Sequence, residues 1–84
     1  MNYLENQESL FTVLKETRLI GHFKELYAVN KEECWSSCND EDLCNAITFY
    51  HNGFLNVNKN CFLYKQKNPD RSVDKNFSSI IRKN

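Results

Sequence analysis

Four cysteines at positions 34, 38, 44 and 61 of an 84-residue chain constrain the fold more than any other feature. A chain this short sits near the size at which one apolar core gives only marginal stability, so a covalent or metal staple is expected. Cys34 and Cys38 stand four apart in Asn30-Lys31-Glu32-Glu33-Cys34-Trp35-Ser36-Ser37-Cys38, a run that opens like a helix. Both thiols therefore project from one helix face. Asn30 reads as the N-cap, Glu33 as its capping-box partner and Val29 as a hydrophobic staple, with Glu32 and Glu33 where the helix dipole favours acids. The helix is predicted over 31–39, ending in Asp40-Glu41-Asp42.

The spacing Cys-x3-Cys-x5-Cys-x16-Cys separates the possible uses of these thiols. Structural zinc sites favour close pairs on tight knuckles, often with histidine, whereas neither close pair here has x2 spacing and His22 and His51 lie outside the cysteine frame or in a loop. The Cys-x-x-Cys of a redox pair is also missing. Two structural disulfides, and with them an oxidising compartment, are the expectation. Of the three pairings, Cys34 with Cys38 is disfavoured because helix neighbours four apart have parallel Cα–Cβ vectors. The other two remain open at this point.

Either side of the helix the pattern is strand-like. Short strands are read at about 10–15 and 17–21, against a competing helix over 8–20, and Leu26 to Val29 reads as an extended lead-in to the helix. Residues 44–50 alternate, with Cys44, Ala46, Thr48 and Tyr50 on one side and Ile47 and Phe49 on the other. They pair with a return strand at 61–65 across a loop at 51–60 that contains Asn52-Gly53. Pro69 breaks the chain before a last strand at 77–82. The whole reads as a single α+β domain over 1–84, its core at about 19–82 and residues 1–9 frayed: one helix packed on an antiparallel sheet of about four to five strands.

Eleven basic residues balance eleven acidic ones, which argues against nucleic acid as a partner. No apolar run has the length of a membrane span or a signal h-region, so neither membrane insertion nor a signal peptide is read here. No nucleophile, base and orienting group can be assembled around His22 or His51, so no catalytic residue, metal ligand or cofactor site is assigned.

Three stretches together resemble one family: Tyr27-Ala28-Val29 running into the helix as far as Cys38, then Leu43-Cys44-Asn45-Ala46-Ile47-Thr48-Phe49-Tyr50, then Asn60-Cys61-Phe62-Leu63-Tyr64. The chain is similar, over about residues 19–82, to the PAN/apple domain family. The likeness is to its four-cysteine type, as in the N-terminal domains of plasminogen and hepatocyte growth factor. The resemblance implies the nested pairing of Cys34 with Cys61 and Cys38 with Cys44. It also implies a non-catalytic module that binds a protein or a carbohydrate within a larger secreted or cell-surface protein. A structural spacer or dimerisation domain is the alternative, and a zinc-stabilised intracellular domain a more remote one.

Two contact surfaces are candidates on this reading. Phe54, Leu55 and Val57 are apolar residues set among asparagines in the hairpin loop. Lys59, Lys65, Lys67 and Arg71, with Lys75, are a basic set that the resemblance would direct to a sulfated glycan. Trp35 reads as a core plug over the disulfides, and Asn76-Phe77-Ser78 is a glycosylation sequon.

Overall fold

The computed structural model describes residues 10–51 and 59–83. The stretch 1–9, the Asn52-Gly53 turn and the apolar residues Phe54, Leu55 and Val57 lie outside the described residues. In chain order the elements are β1 (Phe11–Leu14), β2 (Thr17–Leu19), β3 (Lys24–Leu26), α1 (Lys31–Asn39), β4 (Ala46–Tyr50), β5 (Cys61–Tyr64), β6 (Arg71–Val73) and β7 (Phe77–Arg82). Five strands form an antiparallel sheet in the order β1-β7-β4-β5-β3, and β2 pairs with β6 in a second, two-stranded sheet.

The register explains why β4 is buried almost throughout. Ile47 stands beside Leu63 and Ile80, and Phe49 beside Cys61, on one face of the sheet. That face receives α1 through Cys34, Trp35 and Cys38, with Phe11, Val13 and Leu26 closing the core. The opposite face carries Ala46, Thr48, Tyr64 and Ser79, and Leu19 of the small sheet packs there against Ala46 and Tyr64. Alternation along 44–50 separates two faces, but both are covered, so it does not separate inside from outside.

Helix α1 spans the predicted residues, and Asn30 caps it through Oδ1, which accepts from the Glu33 N–H at 2.8 Å. The return contact differs from a capping box: Glu33 Oε1 accepts from the Val29 N–H at 3.4 Å. Val29 is 68% exposed and is not a staple onto the first turn. The cap is therefore made by Asn30 and the helix is held by what its buried face touches.

The described part of the N-terminal half is extended: residues 11–14 and 17–19 are strands, where a helix was the competing reading. Glu16, at φ 50°, makes the turn after β1, and Thr17 Oγ1 donates to the Lys15 C=O at 2.8 Å. The two strands do not pair with each other: β1 joins β7 at an edge of the large sheet, while β2 pairs with β6. Strands β3 and β6 carry no alternation in sequence. Each is three residues long and exists through its partner, β3 on β5 and β6 on β2. Residues 24–26 thus form an edge strand where the extended lead-in was expected to start later, and the residues after Pro69 form a strand that no sequence signal marks.

Candidate functional site

The frame is covalent. Cys34 is joined to Cys61, with Cα atoms 5.6 Å apart, and Cys38 to Cys44, with Cα atoms 5.3 Å apart. The first bond ties the middle of α1 to β5, and the second closes the helix exit. With all four sulfurs so bonded, no thiolate is left to ligate zinc. Among the described residues no group of three His, Cys, Asp or Glu side chains is placed to hold a metal ion.

Trp35 is 2% exposed and sits between Phe11, whose ring centroid is 5.2 Å away, and Arg82, whose guanidinium lies 5.0 Å from the indole centroid. Arg82 also donates to Asn39 Oδ1 at 2.8 Å and to the Cys44 C=O at 3.4 Å, so one side chain links β7 to the helix exit. Trp35 is a core residue under this guanidinium.

On the other face, three side chains of the large sheet satisfy the free edge of β2. The Leu19 N–H donates to Thr48 Oγ1 at 3.0 Å, Tyr64 Oη donates to the Leu19 C=O at 2.8 Å, and Ser79 Oγ donates to the Thr17 C=O at 2.7 Å. Because Ser79 has a single hydroxyl proton and gives it to Thr17, the 2.8 Å contact between the two hydroxyls is donated by Thr48. The direction of this relay, from Leu19 through Thr48 and Ser79 to Thr17, is fixed by that count. Burial pushes the Tyr64 phenol above its ordinary range, while the Thr48 hydroxyl and the Arg18 charge pull the other way.

The basic residues do not form one surface. Lys59 precedes β5 and Lys65 follows it, and six residues of extended chain separate them by about 20 Å. Lys75 lies in the turn before β7 and belongs to the Lys59 end, where the Tyr50 N–H donates to the Asn60 C=O and the His51 N–H to the Asn76 C=O. The other end carries Lys65 and Lys67, exposed on the connection from β5 into β6, and the exposed Arg71 that opens β6. Lys65 Nζ lies 5.2 Å from the Phe23 ring centroid, and Arg71 donates to Asn68 Oδ1 at 3.0 Å. Asp70 adds one acid to this connection, and its C=O accepts from the Ile20 N–H at 2.9 Å.

Sequence reasoning missed the apolar partners of that basic end. Ile20 is 53% and Phe23 36% exposed, and His22 stands edge-on to Phe62 at 5.0 Å, its Nε2 3.3 Å from Glu25. The stretch 20–23 has neither periodicity nor a motif, and only its docking against β5, where the Phe23 N–H donates to the Leu63 C=O at 2.9 Å, brings it beside Lys65. The end so assembled joins three cations to an exposed aromatic and an exposed aliphatic side chain. It can hold an anionic group and cover an apolar one next to it.

A family model described as the PAN domain matches residues 10–82. The match begins before the part of the chain that carries the likeness in sequence and takes in β1. No curated protein matches the chain.

Proposed function

The chain belongs to the PAN domain family, whose modules bind proteins or carbohydrates within larger proteins, and on that premise we propose that it is a non-catalytic adhesion module working outside the cell. The two disulfides support an oxidising, extracellular setting. The ligand docks at the end of the sheet where β5 runs into β6, on Lys65, Lys67 and Arg71, with Phe23 and Ile20 beside them. The observation that carries this assignment is the Lys65 ammonium lying over the Phe23 ring, with Lys67 exposed on the same connection and Arg71 exposed at the start of β6.

A sulfated glycan is the ligand that this surface suits best. Its sulfates would meet the cations as charge-assisted contacts, and the apolar face of a sugar ring would lie on Phe23. Zero net charge does not oppose this, because an exposed cluster acts within about 8 Å at physiological salt. A glycan array tests the reading: the oxidised protein is expected on sulfated members and absent from their unsulfated counterparts. Equal signal on both would overturn it.

A further inference from the structure

We propose that Asn76 is a site of N-linked glycosylation, an inference that rests on the extracellular reading above. Asn76-Phe77-Ser78 is the one Asn-x-Ser/Thr triplet in the sequence. It lies in the turn from β6 into β7, where Lys75 is exposed and Asn76 half-buried.

The turn is held by main-chain bonds and by the Asp74 carboxylate. The Phe77 N–H donates to the Asp74 C=O at 3.2 Å, the Asn76 N–H donates to Asp74 Oδ1 at 3.0 Å, and the Asn76 C=O accepts from the His51 N–H at 3.0 Å. Asn76 remains partly exposed, so a sugar on its Nδ2 has a route to solvent. Ser78, the hydroxyl residue of the triplet, is partly exposed as well. Strand β7 follows both of its partners, β1 and β4, in sequence. Phe77 and Ser78 pair with Tyr50 and Phe49 of β4, so the triplet is open to a modifying enzyme before that pairing forms.

The step is a glycosyl transfer from a lipid-linked oligosaccharide pyrophosphate. A bond forms between Asn76 Nδ2 and the anomeric carbon of the first sugar, the bond from that carbon to the pyrophosphate oxygen breaks, and the lipid pyrophosphate leaves with the amide proton. The sugar would stand at the end of the sheet that carries His51 and Lys59. Lys65, Lys67 and Arg71 are at the other end of β5, so a glycan on Asn76 leaves the proposed ligand surface uncovered.

The test is intact mass of the chain secreted from a eukaryotic cell line behind a cleavable leader, measured without reduction, before and after peptide-N-glycosidase. The expected result is a mass above that of the 10.0 kDa polypeptide that falls on deglycosylation to that of the polypeptide with Asn76 converted to aspartate. Asn76→Gln and Ser78→Ala should each abolish the increment, and Ser78→Thr should raise the occupied fraction. Ser78→Ala serves as the independent variant should Asn76→Gln disturb the turn. A secreted wild-type chain that holds both disulfides and has the bare polypeptide mass overturns the proposal while leaving the extracellular reading standing, because oxidation is read in the same spectrum.

Discussion

The side-chain amide of Asn60 takes both backbone groups of Ala28: Nδ2 donates to the Ala28 C=O at 2.8 Å and Oδ1 accepts from its N–H at 2.7 Å. This extends the β3–β5 ladder one step past Leu26 and Cys61, since the Asn60 N–H also donates to the Leu26 C=O. The chain entering α1 is thus fixed next to the Cys34–Cys61 bond. Asn60→Ala leaves two polar groups of a fully buried residue unpaired and should cost about 3 kcal/mol. Asn60→Asp keeps the acceptor and loses the donor, so it should not restore stability. Urea unfolding followed by Trp35 fluorescence measures both.

The hydroxyl relay under β2 predicts coupling. Thr48→Val keeps the shape and strands the Leu19 N–H, and Ser79→Ala strands the Thr17 C=O, each at about 2 kcal/mol. Because the hydroxyls also bond to each other, the double variant should lose less than the two single losses together. A double-mutant cycle from equilibrium unfolding gives the difference, and strict additivity would deny the relay.

These contacts mark where sequence stops being informative. The helix was legible because its signals are local: Asn30 three residues before Glu33, and two cysteines four apart. The pairing of β4 with β5 was legible for the same reason, through alternation at 44–50 and the return strand read at 61–65. Strand β6 was not, because Arg71-Ser72-Val73 is exposed along its length and is a strand only because β2 lies next to it. Thr48 and Ser79 read as ordinary strand residues. Their burial follows from a second sheet packed on their face, which the alternation along 44–50 does not reveal. For the candidate site, the exposed cations were readable as residue types, but their division between two ends of β5 required the register. Phe23 joins Lys65 through a contact 42 positions long in sequence, which no local pattern encodes.

Tyr64 gives a pH dependence with a definite sign. Its phenol is raised above the ordinary value of 10.0 by burial, so above about pH 10 the unfolded chain releases a proton that the native state retains. The contribution of Tyr64 is complete below that pH and is lost as pH rises through the native value. Tyr64→Phe should therefore be less stable than wild type at pH 8, having lost the bond to the Leu19 C=O, and the gap should narrow as pH rises above about 10. A gap that widens with pH would contradict the assignment.

The disulfides differ in the chain they close. The Cys34–Cys61 loop spans 27 residues and the Cys38–Cys44 loop 6. Loop entropy assigns them about 3.6 and about 2.2 kcal/mol. Cys34→Ala/Cys61→Ala should lower the urea midpoint more than Cys38→Ala/Cys44→Ala, and the reverse order would show that the helix exit matters more than the tie to β5.

Ligand binding at the β5–β6 end is tested most directly by chromatography on immobilised heparin in a sodium chloride gradient, comparing the oxidised wild-type chain with Lys65→Glu/Lys67→Glu. These side chains are exposed, so the substitutions should leave the fold intact, which circular dichroism checks. The account predicts that wild type is retained at low salt and that the variant elutes at clearly lower salt or flows through. Wild type that passes unretained, or a variant that elutes with it, would contradict the account.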